Sequence, residues 1–221
     1  MKKLQIISLL VLVTVVSSCV TTLPVNTQFY SAKKVGVIIT IDSIGIAKAG
    51  GQGLLDMALT PGNRFHEPLK AVEPQLNCKE VLKIELQKVM NAKNKPTEFL
   101  ELKMNINTLG KFETKDKNKK YATIDYRKLK DTYQVDEILH LKVKYGLLVS
   151  YYGVIETGKE GFCEINSSII NLEDNSLLQK ETLKSIKPIN GNWKKGDNYA
   201  NLKFAIQNSI NGGALLLKQK F

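Results

Sequence analysis

Hydrophobic and polar positions alternate along two stretches of the chain. In ILHLKVKYGLLVSYYGVI, residues 138–155, Leu139, Leu141, Val143 and Tyr145 alternate with His140, Lys142 and Lys144. In FLELKMNIN, residues 99–107, Leu100, Leu102, Met104 and Ile106 fall on one side and Glu101, Lys103, Asn105 and Asn107 on the other. A period of two marks a strand with one buried face, so both stretches predict half-buried strands. VGVIITI, 35–41, is short, apolar and β-branched and predicts a buried strand. Residues 161–172 and 177–186 predict two more strands, joined by a turn at EDNS, 173–176.

Three stretches follow a helical period instead. Cys78, Leu82, Leu86 and Val89 share one face of CKEVLKIELQKVMN, with Pro74 just ahead as suits a helix start. Residues 126–135 predict a short helix. Residues 198–220 predict a long one, with an apolar stripe of Leu202, Ala205, Ile206, Ser209, Ile210, Gly213 and Leu217. GKFETKDKNKKYATI, 110–124, reads as a charged loop or hairpin tip. The order β-α-β-(α)-β-β-β-α predicts a single mixed β-sheet with flanking helices, in the α/β class with α+β as the alternative.

The first residues follow a different logic. Lys2 and Lys3 precede an apolar run from Ile6 to Val16 that only Ser8 and Thr14 interrupt. A settled spanning helix needs about 20 residues. A basic start, a short apolar run and small residues make a secretory signal. An apolar residue, Ser17 and Ser18, then Cys19, resembles the bacterial lipobox. That resemblance implies cleavage before Cys19, a diacylglycerol thioether on its sulfur and an amide-linked acyl chain on its new amine. An ordinary signal peptide with an incidental cysteine is the competing reading, but no A-x-A site supports it. Acyl chains contribute roughly 0.8 kcal/mol per buried methylene, and two or more anchor stably without spanning. The chain thus divides into a lipoprotein signal peptide (1–18), an acylated tether (19–32) and a single domain (33–221). Val20 and Thr21 follow the cysteine with no early acidic cluster, which favours the periplasmic face of an outer membrane.

Composition narrows the partners. Losing Lys2 and Lys3 with the signal leaves 30 of 32 basic side chains against 21 acidic ones, a balance of +9. About 200 residues, with an ordinary apolar fraction, suffice for one domain with a real core. A basic balance raises nucleic acid as a partner, and export argues against it. Anionic headgroups and the carboxylates of cell-wall peptide are the available counter-charges. Lys111, Lys115, Lys117, Lys119 and Lys120 form a basic tip. It is either a solvated loop or a contact worth about 1 kcal/mol per lysine at an anionic surface. Cys78 and Cys163 remain after acylation. They make either a disulfide from helix to strand or two separate buried thiols.

Candidate chemistry is sparse. IAKAGGQGLLDMALTPGN, 46–63, is glycine-rich, but it matches neither G-x-x-x-x-G-K-[ST] nor G-x-G-x-x-G. It predicts a flexible hinge followed by a short apolar helix, Leu54 to Leu59. That helix packs on its own domain or docks Leu54, Leu55 and Met57 on a partner. His66 and His140 stand far apart, with no H-E-x-x-H and no Cys/His cluster, so no metal and no cofactor are expected. No G-x-S-x-G occurs, and Glu80 and Glu85 read as helix surface. Tyr145, Tyr151, Tyr152 and Trp193 read as core and cross-strand aromatics or as a glycan platform. Trp193, in the polar loop INGNWKKGDN, is the leading contact residue.

VDEILHLKVKYG, SSIINLEDNSLLQKET and the closing amphipathic helix carry a second resemblance, across residues 33–221. They look like a group of periplasmic lipoproteins whose fold is similar to the curli-secretion lipoprotein and the amino-terminal domain of TolB. The resemblance implies assembly, secretion or cell-wall accessory work and transfers no functional residue. The expectation is a non-enzymatic lipoprotein held by acyl chains on Cys19. It would assist assembly or secretion, or bind an envelope protein or itself. The alternatives are a peptidoglycan or glycan binder using Trp193 and, third, an envelope hydrolase.

Overall fold

The computed structural model describes residues 22–51, 63–114, 116, 118–194 and 197–221. Its spine is a long antiparallel pair, β4 (Glu137–Tyr152) and β5 (Ile155–Asn171). The odd residues of β4, Leu139 to Tyr151, are buried on one face, as their alternation requires. β6 (Leu177–Pro188) returns antiparallel to β5. The turn between them places Asn175 at φ 63°, a conformation asparagine tolerates.

On the other side of β4 two strands share one edge. β1 (Val35–Ile41) pairs parallel with Glu137–Val143, and β2 (Gly45–Gly51) pairs parallel with Gly146–Tyr152. At their junction Gly146 has φ 143°, and a Cβ there would stand 2.0 Å from the Gly45 carbonyl oxygen. Only glycine lets β2 begin where it does. β3 (Thr97–Phe99) adds parallel to the outer side of β1, giving the order β3-β1-β4-β5-β6 with β2 beside β4.

The helices are α1 (His66–Val72), α2 (Cys78–Ala92), α3 (Leu129–Tyr133) and α4 (Ala200–Lys218). The predicted stripe of α4 is buried throughout, and it joins Leu82, Leu86 and Met90 of α2 and Leu139, Leu141 and Leu147 of β4 in the main core. A second core, containing Ile38, Leu100, Leu109, Tyr126, Leu129 and Ile138, lies under the chain between β3 and β4. Fold class and the order of the predicted elements therefore agree with the sequence, with one strand, β2, and one short helix, α1, added.

Two local expectations change. Residues 99–107 do not form a strand. β3 stops at Phe99, Leu100 N donates to Val37 O at 2.8 Å, and Asn105 Oδ1 accepts from Asn107 N to start a 3-10 turn. Leu100, Leu102 and Ile106 go into the second core instead of along a sheet, while Met104 is exposed. Residues 45–51 form β2 rather than a hinge, because the upper half of β4 supplies a free edge. The expected helix 54–59, with Leu54, Leu55 and Met57, lies outside the described residues.

The tether is also shorter than expected. Leu23 exchanges both backbone hydrogen bonds with Lys180 (2.8 and 3.0 Å), and Asn26 N donates to Leu178 O. Phe29 is fully buried, its ring 5.7 Å from that of Phe221, and Tyr30 Oη donates to Phe221 O at 2.7 Å. Val25, Phe29 and Tyr30 are apolar enough to dock this segment on the domain. Beneath it, Lys95 and Glu137 form an ion pair at 2.7 Å whose side chains are 0% and 2% exposed. Lys95 Nζ lies 4.4 Å from the Phe29 ring centroid. Burial raises the Glu137 carboxyl above its usual range. Among the described residues no helix is long and apolar enough to cross a membrane.

Candidate functional site

Among the described residues, the most exposed large hydrophobics, Tyr152 and Ile155, lie at the end of the sheet where β4 turns into β5. Tyr152, Val154 and Ile155 at the hairpin tip are 78%, 52% and 63% exposed. Tyr151, one residue earlier, points to the opposite face and is buried. The predicted aromatic platform is therefore divided. Tyr145 and Tyr151 belong to the core, while Tyr152 faces solvent. Burial pushes the Tyr145 phenol up to about 12.

Beside the tip lies a cleft of about 730 Å³ between Arg64–Pro68 and the loop holding Trp193, Lys194 and Tyr199. The Trp193 ring is half-buried, 5.2 Å from the Phe65 ring at 50°. Lys194 Nζ lies 5.3 Å from the Trp193 centroid. Arg64 stacks over Phe65 and forms an ion pair with Glu156, which ties the cleft to the hairpin. Gly191, Asn198 and Tyr199 have φ of 82°, 51° and 58°. These left-handed turns, with Asn201 Nδ2 donating to Asn192 O, fold the loop back over α1. Trp193 is thus both a packing residue and a cleft wall. Its ring contact with Phe65 and the cleft it shares with Arg64 span too much sequence to be read from spacing.

A second groove, about 690 Å³, runs along β1. His140 is at its floor. The sequence places His140 on a polar strand face, but the second core covers that face and leaves it 3% exposed. Its Nδ1 meets Tyr126 Oη at 2.8 Å and its Nε2 meets Thr40 Oγ1 at 3.0 Å. Burial, helped by Lys142, lowers its pKa to about 4, so the ring is neutral at pH 7. Burial pushes the Tyr126 phenol up to about 12. A neutral imidazole bonded at both nitrogens is satisfied within the fold.

The remaining expected sites are scattered. Lys119 forms an ion pair with Asp174 at 3.3 Å, Lys120 is exposed, and Lys115 and Lys117 lie outside the described residues. The excursion bearing them is hairpin-like, with Lys111 bridged to Ile124 and Phe112 stacked on Tyr121 at 5.1 Å. Cys78 and Cys163 are both free and both buried in the main core, so the two-thiol reading is the one found and no disulfide joins them. Burial drives both thiols up, Cys78 to about 12. Among the described residues no three His, Cys, Asp or Glu side chains are grouped to hold a metal. Cys19 and residues 1–18 lie outside the described residues.

No protein-family model matches the chain, and no curated protein matches it. Solved structures similar to it include bacterial lipoproteins. The minor lipoprotein from Acinetobacter baumannii is 7% identical, with 85% of this chain and 94% of that one covered and a TM-score of 0.35. A lipoprotein from Neisseria meningitidis is 11% identical, with 80% and 99% covered and a TM-score of 0.34. A neuraminyllactose-binding hemagglutinin homolog from Helicobacter pylori is 8% identical, with 86% of each chain covered and a TM-score of 0.37. Similarity of this order assigns neither a site nor an activity.

Proposed function

We propose that the protein is a non-enzymatic envelope lipoprotein, acylated at Cys19 on the periplasmic face of an outer membrane, that binds an envelope protein through the β4–β5 hairpin tip. The observation that carries this reading is the solvent exposure of Tyr152, Val154 and Ile155 together at one turn. A hairpin tip needs no such residues for folding, and exposed apolar clusters mark contact surfaces. Their position suits a partner away from the anchor. Leu23 docks at the level of Lys180, Ser168 and His140, twelve residues before Tyr152 along β4. At about 3.3 Å per residue that separates Leu23 from the tip by roughly 40 Å.

The experiment is extraction of the full-length protein in mild detergent, with the mass of its complex measured for wild type and for Tyr152→Ser, Val154→Ser, Ile155→Ser together. A stoichiometric complex or ring that falls apart in the triple variant is expected. A lone wild-type monomer, or a complex indifferent to the triple change, overturns the reading. A second reading, binding of cell-wall glycan or peptide, draws on the Trp193 cleft with its Arg64 and Lys194 cations. It predicts sedimentation with sacculi that Trp193→Ala abolishes and the hairpin variant leaves intact.

A further inference from the structure

We propose that the groove along the outer edge of β1 is a peptide site that takes an extended, acidic segment of a partner protein as an added strand. In a parallel pair the N–H and C=O of one residue point to the same side. Val35 N donates outward to Pro96 O at 2.9 Å, and Val37 O accepts from Leu100 N at 2.8 Å. Asp42 N points the other way, to Val143 O. The odd residues of β1 therefore face outward and the even ones face β4. β3 pairs only as far as Val37, so Ile39 and Ile41 extend the outward row with no backbone partner on that side among the described residues.

The groove has two unlike walls. After Leu100 the chain swings away from β1, and the space it leaves is walled by Lys79 and Lys83 of α2 on one side. Leu102, Met104 and Ile106 wall it on the other, with Lys142 and Lys144 of β4 nearby. Successive side chains of an added strand point to opposite faces. One set would meet the α2 lysines and the other the apolar wall. Four lysines outweigh the two carboxylates at the groove, Asp42 and Glu101, and Glu101 already accepts from Lys79 at 2.9 Å. The complementary ligand is a segment alternating apolar and acidic residues, held by main-chain bonds and selected by charge. A second copy offering its β6 edge is a poor occupant, because Leu23 and Asn26 already pair with that edge near Lys180 and Leu178, and beyond them it presents Lys184 and Lys187. The site is separate from the hairpin tip and stands without it.

The test uses the full-length protein in mild detergent and a short, capped, fluorescent peptide alternating Val and Glu, with binding read by anisotropy. Two control peptides carry Lys for Glu, or N-methyl groups on alternate amides that block strand pairing. The Val-Glu peptide alone should bind, and its binding should slow hydrogen exchange at the Ile39 and Ile41 amides. Lys79→Glu with Lys83→Glu, both on the surface of α2, should weaken binding roughly tenfold, about 1.4 kcal/mol. The hairpin triple variant should leave it unchanged. No binding, equal binding of either control, or exchange at Ile39 and Ile41 that does not change overturns the proposal.

Discussion

The two edges of the sheet are treated in opposite ways. At the β6 edge Leu23 and Asn26 occupy the main-chain groups near Leu178 and Lys180, and beyond them Lys184, Lys187 and Pro188 are exposed. Lysine and proline on an edge strand oppose further pairing. At the other edge β3 covers three residues of β1, after which Ile39 and Ile41 and then β2 have no strand on their outer side among the described residues. An unpaired strand edge is an aggregation hazard. A protein that closes one edge with its own N-terminal segment and leaves the other open along a walled groove has the ingredients of a one-sided template. The closure depends on packing rather than on the two strand bonds alone. Phe29 and Tyr30 anchor the segment against Phe221, over the buried Lys95–Glu137 pair.

The largest way to break this contrast is Phe29→Ala. Removing a fully buried phenylalanine costs about 3 to 5 kcal/mol, part transfer and part cavity. The variant should melt markedly lower, and amides of β6 near Leu178 and Lys180 should exchange faster as the segment lifts. A normal melting temperature with unchanged exchange there would show that the segment does not close the edge.

A smaller effect lies at the open edge, where His140 bonds Thr40 of β1. Its folded value near 4 is depressed from the ordinary 6.5. Between these values the unfolded chain takes up a proton that the folded chain refuses. Stability is therefore complete above about pH 6.5 and falls as the pH drops toward 4, by up to roughly 3 kcal/mol. His140→Gln keeps a polar group at the site and should flatten this window in urea unfolding curves taken against pH. Parallel curves for the two proteins would rule out His140 as their source.

Most of the framework was legible because burial imposes a period. The boundaries of β1 match the apolar run Val35–Ile41, and the stripe of α4 is buried residue for residue. The failures have physical causes. GIAKAGG has little strand propensity, and β2 exists because β4 is 16 residues long while β1 covers seven of them. The alternation of 99–107 is real, but Asn105 turns the chain and the second core takes Leu100 and Leu109. That same covering chain buries His140, which no periodicity within β4 could announce. Of the candidate site, Trp193 was visible as an aromatic in a polar loop. Its partners Arg64 and Phe65 were not, because they meet it only through the fold. The hairpin tip was hidden inside an apolar run that reads as continuous strand through Ile155.

The gentlest change should sharpen the comparison most. Lys184 and Lys187 lie on the exposed outer half of β6, where Lys184 pairs with Glu164 at 2.9 Å. Replacing both with Val removes surface charge and no core contact, so folding stability should stay within about 0.5 kcal/mol of the parent. What changes is the edge itself. Flanked by Ile186, which is already exposed, it becomes apolar, β-branched and open beyond the reach of Leu23 and Asn26. Sedimentation at increasing concentration should then show association beyond that of the parent protein at the same salt. Adding the Val-Glu peptide should reduce it if the new contact is β6 of one copy on β1 of the next. Association that ignores the peptide would place the contact between two β6 edges, and an unchanged sedimentation profile would mean that the lysines are not what keeps that edge closed.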